Sequence, residues 1–177
     1  IDLFSKGEIN QALDVVQDLI TDYPNEPVLF NIRGACYADL GQLDIAVKNY
    51  EEAISIKPDY AKAHFNLAGS LHDLGKLKAA VQSYQKTIEI EPNYAEAHNN
   101  LGNVFQELEQ GDSAVQSYKR ALEIKPDYVA AQYSLGNAFM ELEQLDEAVK
   151  SYKAALKLKP DFVEAINNLG ITFFKLY

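Results

Sequence analysis

Asparagine and acid return in this chain at one interval. Asn66 and Asn100 are 34 residues apart, and Asn168 lies two such steps further on. The same interval separates Asn103 from Asn137, Asp39 from Asp73 and Glu107 from Glu141, and twice the interval separates Asn31, Asn99 and Asn167. A side-chain amide both donates and accepts hydrogen bonds. Amides repeated along one face can therefore pair with the N–H and C=O groups of an extended peptide, reading its backbone rather than its sequence. Asparagine is a mediocre helix former because its amide competes for backbone hydrogen bonds, so gathering it on one face works against local stability. Two explanations stand: recognition of a peptide, or a face that is simply kept solvated.

The other reactive residue types form no constellation. His64 and His98 also repeat at 34 residues, but a metal site would need a third ligand and converging carboxylates. They read instead as replacements for an aromatic within a helix stack, and His72 reads as a contact residue. The single cysteine, Cys36, lies in an apolar helix pattern and reads as a small core hydrophobe. No serine has a nearby base at helical spacing, no glycine-rich loop follows a strand, and the carboxylates are spread along the chain rather than paired. The sequence thus predicts no catalytic residue, no cofactor and no metal: the chain is not expected to be an enzyme. A net charge of -10 repels phosphate backbones and anionic lipid, which makes nucleic acid and membrane surfaces poor partners. No run of about 18 apolar residues is present. The chain opens at Ile1 without methionine and stops at Tyr177 within an apolar pattern, so both ends are expected to be cuts through a longer protein. Localisation stays open on that ground, with the cytoplasm favoured.

The elements that carry these residues follow from the interval itself. Pro24, Pro58, Pro92, Pro126 and Pro160 are each 34 residues after the last, with Pro27 outside the series. Position 1 of each repeat is set three residues after its leading proline. Full repeats then span 27–60, 61–94, 95–128 and 129–162, preceded by a partial repeat, 1–26, and followed by one further helix, 163–177. Apolar or small residues at positions 4, 7, 8 and 11 (His98, Leu101, Gly102 and Phe105, for example) have a helical period, and Ala114, Val115, Tyr118, Ala121 and Leu122 mark a second helix. The proline ends that helix because its ring clashes with the preceding turn. Asp59, Asn93, Asp127 and Asp161 follow the proline and are expected to cap the next helix. Small residues at position 8 (Gly34, Ala68, Gly102, Gly136, Gly170) and position 20 (Ala46, Ala80, Ala114, Ala148) are expected where helices cross, beside the ring at position 24 (Tyr50, Tyr84, Tyr118, Tyr152).

These residues resemble the tetratricopeptide repeat pattern of W-x2-L-G-x2-Y, A-x3-F and a closing proline. The tryptophan position instead holds Phe30, His64, His98, Gln132 and Ile166, Arg33 stands at a leucine position, and Thr87 at an alanine one. The resemblance implies an all-α, right-handed superhelical solenoid of antiparallel helix pairs, with the first helices lining a concave groove. It places positions 2, 5, 6, 9, 12 and 13 on that groove, which makes Asn31, Asn66, His72, Asn99, Asn100, Asn103, Glu107, Tyr133, Asn137, Glu141, Asn167 and Asn168 the candidate peptide-binding residues. Asn66, Asn100 and Asn168 at position 6 are similar to the asparagine ladder of O-linked N-acetylglucosamine transferase repeats, which Ile32 and Ser134 interrupt here. The lysine and arginine set of chaperone-binding relatives is absent, so an acidic chain terminus is not the expected guest.

The expected function is a non-catalytic scaffold that binds an extended, neutral or basic peptide. The alternative is the substrate-selecting arm of a larger glycosyltransferase or sulfotransferase. The acids Asp39, Asp73, Glu107 and Glu141 oppose the dipole at their helix ends, which helix stability does not explain and a basic guest would. The apolar run Ile171–Tyr177 ends without a second helix, and end-to-end self-association through 163–177 is expected.

Overall fold

A computed structural model describes residues 8–177 of the chain. Residues 1–7, the start of the partial repeat 1–26, lie outside the described residues. Ten helices and no strand occur among the described residues: α1 (Ile9–Asp22), α2 (Pro27–Asp39), α3 (Leu43–Ile56), α4 (Ala61–Asp73), α5 (Leu77–Ile90), α6 (Ala95–Glu107), α7 (Gly111–Ile124), α8 (Val129–Glu141), α9 (Leu145–Leu158) and α10 (Val163–Leu176). The chain divides at Pro92 into two compact bodies. In the first, α1 to α5 each pack on the next and α2 also touches α4. In the second, α6 to α10 each pack on the next, with α6 against α8 and α8 against α10.

Two backbone devices turn the chain. The first helix of each complete repeat ends in a Schellman motif, in which two amides beyond the helix return to its last carbonyls. In α2 these are Gly41 N–H to Ala38 O at 2.9 Å and Gln42 N–H to Tyr37 O at 2.9 Å. The residue at the bend takes a left-handed conformation in all four complete repeats: Gly41 (φ 71°) and Gly75 (φ 70°), but also Glu109 and Glu143 (both φ 58°). Each second helix is followed by a proline turn. Tyr60 N–H bonds to Lys57 O at 3.1 Å and Phe162 N–H to Lys159 O at 3.2 Å, with the proline second in the turn. The lysine that opens the turn lies over the aromatic that closes it, Lys125 at 5.0 Å from the Tyr128 ring and Lys159 at 5.1 Å from the Phe162 ring.

That turn corrects one expectation. The N-cap residues are the aromatics Tyr60, Tyr94, Tyr128 and Phe162, and none of these helices has a side-chain cap. Asp59, Asn93, Asp127 and Asp161 sit one residue too early, because each is the third residue of the proline turn, which the aromatic after it closes.

Within three of the four complete repeats the two helices meet ring against glycine, and in repeat 61–94 Ala68 takes the glycine's place. A Cβ built on Gly34, Gly102 or Gly136 would lie 2.6 Å from the Cε1 of Tyr50, Tyr118 or Tyr152 respectively. The rings are buried, and Ala46, Ala114 and Ala148 beside them have no exposure at all. In the first body the core centres on Val16, Ile20, Leu29, Phe30, Ala53 and Ala63. In the second it runs through Val115, Tyr118, Leu135, Phe139 and Tyr152. Cys36 is a buried free thiol within this packing, as expected, and burial raises its pKa with help from Asp39. Arg33, at a leucine position, is accommodated by donating to Asn49 Oδ1 and, at 2.8 Å, to Gln17 Oε1.

A left-handed residue with a Cβ costs about 1–2 kcal/mol that glycine avoids. Glu143→Gly is therefore expected to raise the urea-unfolding free energy by about 1 kcal/mol, while Gly75→Glu lowers it by a similar amount.

Candidate peptide-binding face

The buried tyrosines decide what the first helices present. With its ring pressed on glycine, the phenol reaches past the helix crossing and needs a polar partner at its tip. Tyr152 donates to Asn137 Oδ1 at 2.8 Å. The Tyr118 hydroxyl lies 2.7 Å from Asn103 Oδ1 and 2.5 Å from Gln106 Oε1, so two acceptors share its one proton. The asparagines of position 9 thus hold the stack together from its exposed face.

Position 6 links successive first helices. Asn66 Nδ2 donates to Asn31 Oδ1 at 2.9 Å. Asn168 Nδ2 donates to the Tyr133 hydroxyl at 3.1 Å and to Asn137 Oδ1 at 2.9 Å. Gln106 Nε2 makes a parallel contact to Glu141 Oε2 at 3.1 Å. By the same register the partner of Asn99 would come from position 6 of the next repeat, which is Ser134. Serine is too short to serve both directions: its hydroxyl is engaged with Tyr118. Asn99 donates to Asn100 Oδ1 at 3.2 Å, but its own Oδ1 is buried without a hydrogen-bond partner.

The candidate residues separate accordingly. Asn31 and Asn99 are only 7 % and 4 % exposed, and each bonds to another asparagine, Asn31 to Asn66 and Asn99 to Asn100. Their side chains lie between adjacent first helices, where a buried amide has to bond within the stack. Asn66, His72, Asn100, Asn103, Tyr133, Asn137 and Asn168 are half-buried, and Glu107, Glu141 and Asn167 are exposed. Tyr133 stacks at 4.9 Å on Phe162 as well as accepting from Asn168. All four acids at position 13 are exposed. Glu96 is half-buried and paired with Lys125 at 3.7 Å, which removes it from the charge available to a guest. His64 bonds through Nε2 to Pro58 O at 3.0 Å and His98 is buried, both as stack residues. Among the described residues no group of three or more His, Cys, Asp or Glu side chains could hold a metal ion.

A feature that sequence reasoning missed is an apolar cavity of about 400 Å³ in the first body, lined by Val15, Val16, Leu19, Leu29 and Ile32 with Asn31, Asn66 and Lys62 among its polar residues. Its signal was present in the repeat register. Later repeats carry Asn49, Ser83, Ser117 and Ser151 where α1 has Val15, and small Ala53, Thr87, Ala121 and Ala155 where it has Leu19.

The stacked helix pairs define a repeat scaffold whose first helices carry the polar face. Family models place the chain more narrowly: the TPR repeat model matches residues 34–75, 68–109 and 136–176, and the tetratricopeptide repeat model matches 95–128. The chain belongs to the tetratricopeptide repeat family. A peroxisomal targeting signal receptor of Saccharomyces cerevisiae is 27 % identical over 67 residues, 38 % of this chain and 11 % of that protein. Hsp70-Hsp90 organizing protein 2 of Arabidopsis thaliana is 36 % identical over 59 residues, 33 % of this chain and 10 % of that protein. The chain thus spans about a tenth of the length of these relatives. Among solved structures, MamA is similar with a TM-score of 0.84 and 25 % identity, over 92 % of this chain and 95 % of that one. YrrB, described as a TPR protein with an unusual peptide-binding site, has a TM-score of 0.79 at 20 % identity, over 90 % of this chain and 82 % of that one. Proteins of this family mediate protein–protein interactions.

Two stability measurements check the hydrogen-bond scheme. An orphaned buried acceptor costs about 1–3 kcal/mol, so Ser134→Asn, which restores a donor to Asn99, is expected to raise the urea-unfolding free energy by about 1 kcal/mol. Burial pushes the Tyr152 phenol up to about 12, against a lowering by the Asn168 contact, and Tyr118 is raised as well. A phenol whose folded pKa exceeds its unfolded value near 10 stabilises the fold fully below pH 10, and that contribution is lost as pH rises towards 12. Unfolding free energies measured between pH 8 and 11 are expected to fall, and Tyr152→Phe to flatten the decline.

Proposed function

We propose that this chain is a scaffold that holds an extended, neutral or basic peptide segment along the exposed face of its first helices. The observation that carries the reading is the state of its amides. Asn66, Asn103, Asn137 and Asn168 are half-buried and already fixed by hydrogen bonds to neighbouring side chains. A primary amide has two N–H donors and an acceptor with two lone pairs, so holding a neighbour does not exhaust it. Fixing the side chain beforehand removes the cost of immobilising it, about 0.5–1.5 kcal/mol each, when a guest arrives. Asn66, Asn100 and Asn168 would serve as the ladder that the resemblance to O-linked N-acetylglucosamine transferase repeats implies, with Asn31 and Asn99 as the residues that support it.

The sign of the guest comes from the acids. Asp39, Asp73, Glu107 and Glu141 end four first helices, all exposed. Within each body they place negative charge at the ends of two first helices. The peptide-binding description of YrrB and the receptor named among the curated relatives are in keeping with this reading.

Fluorescence anisotropy with two labelled peptides of equal length, one of lysine and serine and one of glutamate and serine, tests it. The basic peptide is expected to bind at least tenfold more tightly. The triple variant Asp73→Asn, Glu107→Gln, Glu141→Gln should remove that preference with an unchanged melting temperature. Equal affinity for the two peptides, or a preference that survives the triple variant, would contradict the proposal.

A further inference from the structure

A second hollow of the first body, about 410 Å³, lies between α3, α4 and α5, with Glu51, Ile54, His64, Leu67, Ser83 and Lys86 in its walls. One repeat earlier, between α1, α2 and α3, the chain sets an arginine at the corresponding junction. The Arg33 guanidinium donates to Gln17 Oε1 of α1 at 2.8 Å and to Asn49 Oδ1 of α3. It also lies 5.1 Å from the centre of the Phe30 ring. Two acceptors and a flat ring thus form a seat for one guanidinium.

A step of one repeat compares the two places side chain by side chain. Gln17 becomes Glu51, Asn49 becomes Ser83, Phe30 becomes His64 and Arg33 becomes Leu67. The cation is gone, since Leu67 is apolar and buried, while each acceptor has an acceptor in its place. Glutamate and glutamine have the same length, so Glu51 carries a carboxylate at the register where Gln17 carries an amide. A bond from guanidinium to carboxylate is charge-assisted and can be bidentate. Ser83 keeps a hydroxyl oxygen at the Asn49 register. The His64 ring, held by its Nε2 contact to Pro58 O at 3.0 Å, offers a plane on which a guanidinium stacks. Lys86 is the one lysine or arginine in the walls, and it is paired with Glu89 at 2.9 Å. Glu51 is exposed and has no such partner among the described residues. It is also the one acid at position 25, which elsewhere holds Gln17, Gln85, Lys119 and Lys153. In the second body the chain again supplies the cation itself: Lys119 lies 5.4 Å from the Phe139 ring of the next first helix.

We propose that the hollow between α3, α4 and α5 is a binding site for a guanidinium group, the arginine side chain of a partner protein. Glu51 is its counter-ion, Ser83 its second acceptor and His64 its stacking surface. The partner's arginine brings from outside what Arg33 brings from within one repeat earlier. Arginine fits better than lysine because its planar fork reaches two acceptors at once and stacks on a ring. The site shares no residue with the candidate peptide-binding face and does not depend on it.

Backbone amide NMR shifts of isotope-labelled protein, titrated with N-acetyl-arginine amide and separately with N-acetyl-lysine amide, test the site. The arginine probe is expected to shift His64, Gln82 and Ser83 in a saturable way, with a dissociation constant on the order of 1 mM, the scale of a small ligand. The lysine probe should bind about fivefold more weakly or worse. Glu51→Gln changes an exposed side chain to its neutral isostere, so the melting temperature should hold while arginine affinity falls by about fivefold. No shift at His64, Gln82 and Ser83, or shifts confined to Asn66, Asn100 and the acids of position 13, would overturn the proposal. Equal response to the two probes, or binding undiminished in Glu51→Gln, would overturn it as well. Because these shifts are read away from the first-helix face, the site stands or fails apart from peptide binding there.

Discussion

A tyrosine ring pressed against a helical glycine is a contact that recurs in both bodies, at Gly34, Gly102 and Gly136. It brings the two helices of a repeat closer than any residue with a Cβ at that glycine would allow without displacing the ring. It also fixes where the phenol oxygen emerges. A buried hydroxyl without a partner is costly. In the second body the polar residues at position 9, and Gln106 at position 12, serve it. Where the hydroxyl arrives, Asn103, Gln106 and Asn137 are waiting for it. The face that looks designed for a guest is in part the outer end of a core contact.

Two uses of asparagine therefore share one surface. Between successive first helices, position 6 reaches back to positions 5 and 9 of the preceding repeat, as Asn66 and Asn168 do. Under the proposed function, the remaining hydrogen-bonding capacity of the same amides would be offered to a peptide. The two roles would reinforce each other, since an amide fixed by the stack would lose little freedom on binding. Repeat 129–162 marks the limit of the scheme: with Ser134 in the row, Asn99 Oδ1 has no hydrogen-bond partner. A polar ladder tolerates one missing rung because neighbouring repeats hold the helices by apolar packing, but the missing rung carries an energetic cost.

Much of this was legible in the sequence, for a physical reason. Helix pairs that can bury their apolar faces only against each other must repeat the contact residues at a fixed spacing, so the prolines, the glycines at position 8 and the tyrosines at position 24 revealed the elements and their packing. Less legible were features that depend on a shift of a single residue or on what a neighbour supplies. Asp59 and its counterparts looked like caps, yet the proline turn displaces the helix start onto the aromatic. Glu109 and Glu143 concealed a left-handed bend that Gly41 and Gly75 announce openly. Asn31 and Asn99 belong to the same columns as exposed asparagines, and only the placement of adjacent helices separates the buried from the open. The cavity beside α1 was written in Val15 and Leu19, which break the columns that later repeats keep polar or small.

The central contact is tested most directly by a size exchange across it. Gly136→Val puts methyl groups into the space of the Tyr152 ring, which a Cβ at that position would approach to 2.6 Å, while Tyr152→Ala empties that space. Each variant alone is expected to lower the urea-unfolding free energy by several kcal/mol, as truncation of a large buried aromatic does at about 3–5 kcal/mol. If the ring and the glycine share one space, the double variant should be no less stable than Tyr152→Ala alone. Losses that simply add would contradict the account.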